Sequence, residues 1–318
     1  MKDLLRIADL SAEDLSHLLF LADGVRSGDH RRAEVLRDET VVLHFAEPST
    51  RMRLSFAVAV GHLGGRTQVT GPADLQLGHG ETMEDAAQVI SRFARAFVIR
   101  TPQDDDIRRL AGAATIPVVN ARTGGHHPCQ ALADLATLRR RFGRLAGLRL
   151  AYVGTRDNVA HSLLEAGALA GVDVVVAAPP GEEPDGGVLA IARGLAGGSG
   201  SAIEVTDDPR AAVRGADAVY TGVRMPTGDE AQQRTREGVL RPYQVTEELM
   251  AAAAPHAVFM HCLPAHRGEE VAASVIDGPR SVVFDQAEAC LHTAHAVLFA
   301  LVLDQLDGAG RPRRAPGL

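Results

Sequence analysis

The sequence predicts an α/β protein of two domains, each a parallel sheet flanked by helices. Three observations lead there. Short apolar runs alternate along the chain with segments of helical period, the pattern of right-handed βαβ units. At 318 residues the chain is long for a single core. The alternation also begins afresh at Leu148, just after a helix over about 128–142, which makes that helix the bridge between two sheets.

In order, Ser11-Ala-Glu-Asp14 has the form of a capping box, and Leu15, Leu18 and Leu19 give an apolar face to a helix over about 11–26. Val41–Phe45 reads as a buried strand. Glu47–Phe56 then opens a helix with Leu54, Ala57, Val58 and Leu63 inward, stopped at Gly64-Gly65. Arg66–Thr70 is the next strand, and Gly71–Gly80 a connector or lid. A helix over about 82–93, the strand Ala96–Arg100, a helix over 104–114 and the strand Ile116–Asn120 follow. Pro128 is placed as the first residue of the bridging helix. Beyond it come strands at 148–154, 173–178, 203–206 and 218–222, with helices at 158–170 and near 186–196. A polar loop from Val223 to Arg241 is expected to cover a site. Phe259–Gly268 leaves a strand into an irregular turn, and a strand at 281–285 and a helix over about 288–306 close the fold. From Asp307 the Gly, Pro and Arg content predicts disorder.

Composition excludes several function classes. A net charge of -7 argues against broad nucleic-acid binding, which needs excess cations. The sequence shows no signal peptide and no apolar run expected to cross a membrane. Cys129, Cys262 and Cys290 lie far apart with no CxxC pair, which fits a reducing cytoplasm and predicts neither a disulfide framework nor a structural zinc.

The candidate chemistry begins at the helix opened by Glu47–Phe56. Ser49 and Thr50 can cap its first turn, whose amides carry partial positive charge, and Arg51 and Arg53 add formal charge beside them. Two arginines directly after a strand end point to a phosphate site; the alternative is a capped helix with surface arginines. Arg100 ends a buried strand, where open α/β sheets bind ligands. In Gly124–Gln130, His127 and Gln130 share one face at a helix start and can hold a neutral group such as a carbonyl, a structural histidine being the alternative. Cys262 is a nucleophile, a polar contact or a core thiol, with the core thiol favoured on composition. Gly154–Val159 lacks the G-x-G-x-x-G spacing, so no nicotinamide cofactor is expected.

Taken together, Ser49-Thr-Arg-Met-Arg53, His127-Pro-Cys-Gln130 and His261-Cys-Leu-Pro264 with Arg267-Gly268 resemble the S-T-R-T-R, H-P-x-Q and H-C-L-P-x-x-R-G motifs of the aspartate/ornithine carbamoyltransferase family. The last is typical of its ornithine branch, and the resemblance covers nearly the whole chain. It implies an active site in the interdomain cleft of two α/β domains and a homotrimer whose neighbouring subunit lends part of the 71–81 loop. The domains expected are 1–137 for carbamoyl phosphate, with helix 288–306 packed back on it, and 138–287 for the acceptor amine. Carried over, Ser49, Thr50, Arg51 and the backbone at Met52 and Arg53 hold the phosphate, while Arg100, His127 and Gln130 hold the carbamoyl oxygen and a neighbouring phosphate oxygen. Cys262 and Leu263 line the reacting centre, and Asn158 matches an ornithine contact. The partners implied are carbamoyl phosphate and an amine, with no metal or organic cofactor.

The departures shape the expected substrate. Where the ornithine branch has D-x-x-x-S-M-G, whose Asp, Ser and Met grip the amino-acid end of ornithine, this chain has Gly222, Pro226, Thr227 and Gly228. Losing a buried ionic contact costs about 2–5 kcal/mol. The arginine and glutamine signature of the aspartate branch is not evident at Arg224–Thr227. Cys290 stands where A-E-N-R-L-H has its arginine, Met52 replaces a Thr and Gly124 an Asp, so weaker binding of carbamoyl phosphate, or a stand-in role for Arg224 or His295, is expected. These departures predict a carbamoyltransferase acting on a primary amine other than free ornithine, as in specialised metabolism. The alternatives are ornithine carbamoyltransferase itself, as in arginine biosynthesis, and a catalytically degenerate binding or regulatory paralogue.

Overall fold

Consecutive apolar residues that are buried on both faces form parallel strands, and among the described residues every strand pairing is parallel. The structure, a computed structural model, describes residues 1–28, 33–77, 80–223 and 238–304. Arg224, Pro226, Thr227 and Gly228, most of the 223–241 loop, and the tail from Asp307 lie outside them. The chain divides into two units, Met1–Ala136 together with the chain from Glu288, and Thr137–Ala287.

In the first unit the helix α1 (Ala12–Ser27) starts on the expected capping box, with Ser11 and Asp14 exchanging side-chain and backbone hydrogen bonds. Then come β1 (Thr40–Phe45), α2 (Arg51–His62), β2 (Arg66–Thr70), α3 (Met83–Ile90), β3 (Ala96–Arg100), α4 (Asp104–Ala113), β4 (Val118–Arg122) and α5 (Pro128–Phe142). The sheet order is β2-β1-β3-β4. Phe97, Ile99, Ile107, Leu110 and Val118 fill its core between sheet and helices. The inward face of α2 differs from expectation at Leu54 and Val58, whereas Leu63 is buried as expected. Met52, Ser55, Phe56, Ala59 and Val60 are buried, while Leu54 is 59% and Val58 41% exposed, because β1 meets the helix on the opposite side.

The second unit repeats the plan with β5 (Arg149–Val153), α6 (Asn158–Ala170), β6 (Asp173–Ala177), α7 (Gly186–Ser199), β7 (Ile203–Thr206), α8 (Pro209–Val213), β8 (Ala218–Thr221), α9 (Glu247–Ala251), β9 (Val258–His261) and α10 (Ala273–Ile276). Its sheet order is β7-β6-β5-β8-β9. The helices α8 to α10 hold four or five residues each, too short to show a 3.6-residue period.

The expected strand at 281–285 does not form. Ser281 makes a single bridge to Phe259, and the last helix, α11 (Val283–Leu303), already begins two residues later. Good helix formers at Gln286–Ala289 outweigh the β-branched pair Val282-Val283. The same helix is long and apolar enough to cross a membrane, contrary to the expectation from sequence, but its most apolar window is 72% buried inside the protein. The chain passes between the units within α5 and within α11.

Candidate active site

In the first sheet the chain leaves β1 towards β2 on one side and leaves β3 towards β4 on the other. Neighbouring strands whose connections diverge open a crevice at their carboxyl ends, the usual ligand position in such sheets. The Ala46 amide donates to the Arg100 carbonyl (3.0 Å), so the turn before α2 is pinned across this switch point. A register shift at Ile99/Arg100 sets Arg100 opposite Arg122 of β4. Glu47 joins the two guanidiniums. Its Oε2 accepts from Arg100 Nη2 (3.1 Å) and Nε (3.3 Å) and from Arg122 Nη1 (2.5 Å).

His127, 7% exposed, lies within the field of this group. Burial, followed by the charges of Arg100, Arg122 and Arg51, holds its imidazole well below the ordinary histidine range. Burial, then Arg122, also lowers Arg100, with Glu47 opposing. Three guanidiniums and one neutral imidazole therefore share a region at the carboxyl ends of β1, β3 and β4. Gln130 donates to Asp134 Oδ1 (2.8 Å), and the Cys290 thiol approaches Gln130 Oε1 at 3.9 Å. The loop entering α5 is tied down by Asp104, which accepts from the Thr123 hydroxyl and sits 3.1 Å from His126 Nδ1. Gly125 is needed there because a Cβ would land on the Asp104 carboxylate.

The neutral state of His127 has a pH consequence. Its folded pKa is depressed, whereas the unfolded chain protonates near 6.5. As pH falls below about 6.5 the unfolded state takes up a proton that the folded state refuses, so stability present above that pH is lost below it, by about 1 kcal/mol per pH unit. Urea unfolding at about pH 7.5 and about pH 5.5 should show wild type losing about 1 kcal/mol more than His127→Asn. Equal losses would remove the charge cluster's hold on His127.

The second sheet has its switch point between β5 and β8. The last ladder pair there is Tyr152 with Tyr220, after which the Thr221 hydroxyl donates to the Val153 carbonyl (2.6 Å). Asp157 caps α6, its Oδ1 accepting from the Ala160 amide (2.7 Å), and its Oδ2 accepts from the Tyr152 hydroxyl (2.7 Å). Burial raises the Asp157 carboxyl against the lowering effect of these bonds. A Cβ on Gly222 would stand 2.6 Å from the Tyr152 oxygen and 2.7 Å from Asp157 Oδ2.

Beside them, β9 ends at His261, whose Nδ1 accepts from the Leu263 amide (2.8 Å), leaving Nε2 to donate to Glu270 (3.2 Å). Both side chains are fully buried. This pairing holds Leu263 at φ +55° ahead of a cis Leu263–Pro264 bond. Cys262, half-buried, bears electrostatically on the Tyr152 hydroxyl. Among the described residues, His266, Glu269 and Glu270 bring ligand-type atoms within 4.8 Å of one another, and Glu270 Oε1 also takes the His266 amide at 2.6 Å.

The first unit thus brings Arg51, Arg100 and His127 together, and joins Gln130 to Cys290. Thr50 is the N-cap of α2 but makes no side-chain cap bond, since its own backbone is already helical; the expected capping role is corrected. Met52 buries its side chain, and Arg53 is exposed one position on. In the second unit Asn158 is buried at the start of α6, and Gly222, Cys262 and Leu263 follow the ends of β8 and β9. His295 is wholly buried, its ring 6.3 Å from His62 and 6.4 Å from Phe299. Glu47, Arg122, Tyr152 and Asp157 were not anticipated. An arginine at the end of a buried run was the available signal for Arg122, as it was for Arg100.

Residues 2–140 match the family model of the aspartate/ornithine carbamoyltransferase carbamoyl-P binding domain, and residues 146–301 that of the Asp/Orn binding domain. The chain belongs to the aspartate/ornithine carbamoyltransferase family. Over 305 residues this carbamoyltransferase is 48% identical to an ornithine carbamoyltransferase of Parafrankia sp., covering 95% of this chain and 96% of the relative. It is 47% identical over 304 residues to that of Methanothermobacter thermautotrophicus, covering 96% and 100%. The ornithine carbamoyltransferase structure from Pyrococcus furiosus matches with a TM-score of 0.92 at 44% identity, covering 96% of this chain and 98% of that one.

These relatives overturn the expected acceptor. Chains so similar over nearly their full length are ornithine carbamoyltransferases, which counts against an amine other than free ornithine. The physical reason lies at position 222. Its side chain is gone, but a carboxylate is not, because Asp157 Oδ2 occupies the adjoining space.

Proposed function

We propose that this carbamoyltransferase transfers the carbamoyl group of carbamoyl phosphate to free ornithine. The observation that carries the reading is the set of guanidiniums around neutral His127 in the carbamoyl-P binding domain, supported by the full-length relatives. Arg51, with Ser49, Thr50 and the first-turn amides at Met52 and Arg53, takes the phosphate dianion. Arg100, His127 and Gln130 take the carbamoyl oxygen and a neighbouring phosphate oxygen. A neutral imidazole serves this end, since it donates a hydrogen bond without adding a fourth positive charge. The deprotonated δ-amine attacks the carbamoyl carbon, charge collects on the oxygen facing these donors, and the C–O bond to phosphate breaks. The departing phosphate accepts the proton that the amine loses. Asn158, Cys262 and Leu263 line the acceptor's side of the reaction, and no step calls on a cofactor.

Three chains per enzyme form part of the same reading. Leu54 and Val58, one turn apart on the outer face of α2, are apolar surface that a neighbouring subunit would cover. Cys129, Cys262 and Cys290 form no disulfide, which suits a cytoplasmic setting. The test is steady-state assay of inorganic phosphate and of carbamoylated ornithine on enzyme whose mass is measured by light scattering. Equimolar formation of both by a particle of three times the chain mass is expected. Phosphate release that does not depend on ornithine would sink the assignment.

A further inference from the structure

We propose that Asp157, held by Tyr152 against the bare face of Gly222, is the carboxylate that takes the α-ammonium of the amino-acid acceptor. The inference rests on the ornithine reading above and names a recognition residue that this reading leaves open.

Four observations converge on it. Asp157 lies in the turn after β5, and Gly222 follows β8, so both stand at the switch point of the sheet in the Asp/Orn binding domain. Gly222 has no room for a side chain, because the Tyr152 hydroxyl and Asp157 Oδ2 already fill the place of its Cβ. Asp157 is half-buried, and its carboxylate accepts from the Ala160 and Val159 amides and from the Tyr152 hydroxyl, which leaves about one of its roughly four lone-pair sites for a cation. Its position is fixed in advance. Tyr152 stacks on Tyr220 with ring centroids 5.8 Å apart, and the Tyr220 hydroxyl accepts from Gln286 Nε2 (3.0 Å).

Charge logic selects the α-ammonium over the reacting amine. The nucleophile must be neutral to attack, and a carboxylate beside it would hold it protonated. The α-amino group does no chemistry and stays cationic, so it is the group a fixed carboxylate can grip without cost to the rate.

The test compares ornithine with 5-aminopentanoate, the same chain without the α-amino group, on wild type and Asp157→Asn. Asparagine caps a helix as well as aspartate does, so α6 keeps its start. For Asp157→Asn the KM for ornithine should rise roughly 10- to 100-fold. The KM for carbamoyl phosphate and kcat/KM for 5-aminopentanoate should stay within about threefold. An equal loss on both amines, or an unchanged KM for ornithine, overturns the proposal. Asp157→Ser, which also caps, gives the same contrast should the asparagine variant fail to fold. A wild type that turns over neither amine counts against the ornithine reading itself. Calorimetric binding of the two amines to wild type and Asp157→Asn then supplies the contrast, a lost preference for ornithine supporting the assignment and a retained one overturning it.

Discussion

Replacing Arg100 with glutamine is expected to lower kcat/KM for carbamoyl phosphate by roughly 100- to 1,000-fold, the usual loss for a donor aimed at developing oxyanion charge. Arg100 ends β3 with its side chain 15% exposed, bonded to Glu47 and paired in register with Arg122. After burial, its charge is the largest of the three that hold His127 below the ordinary histidine range. Removing it takes away a donor to the carbamoyl oxygen and weakens the repulsion that holds the imidazole unprotonated. The fold should survive, because Glu47 keeps Arg122 as a partner at 2.5 Å. Steady-state kinetics beside a thermal melt separates the two effects. A fall in kcat/KM of less than about fivefold, with the melt unchanged, would remove Arg100 from the reaction.

The largest stability loss is expected from His261→Ala. His261 and Glu270 are both fully buried, and His261 makes two bonds, one to the Glu270 carboxylate and one from the Leu263 amide. For Glu270, burial alone would raise the carboxyl, yet His261 and the backbone amides of His266 and Glu270 together bring it below its ordinary value, so it is ionised. Taking away His261 leaves a buried carboxylate without its main donor, at a cost of about 3–5 kcal/mol. The same change frees Leu263 from its left-handed conformation, so Cys262 and Leu263 should also shift. Urea unfolding reads the first effect and the KM for ornithine the second. A loss under about 1 kcal/mol would mean that the turn after β9 is held by something else.

What the sequence could convey follows from where the physics is local. Arg100 was legible because it terminates four buried apolar residues, and Pro128 because a missing amide costs nothing at a helix start. Arg122 is not, because the apolar pattern places the strand at Ile116–Asn120 while pairing starts at Val118, and that offset hides a second arginine at a strand end. The Glu47 bridge depends on a register shift that no periodicity records. Asp157 and Gly222 lie far apart along the chain and meet only through the pairing of β5 with β8. The sequence therefore shows the missing side chain at Gly222 without the Asp157 carboxylate that adjoins it. Likewise Thr50 had the residue type of a cap, but its backbone turned helical and gave that function up.

The first unit is assembled from two separate stretches, since it takes in Met1–Ala136 and the chain from Glu288, while Thr137–Ala287 is continuous. On the ribosome the middle segment is complete before the closing helix has been made. The continuous unit can therefore reach its native state before the first is whole, and Gln130 must wait for the later stretch to supply Cys290.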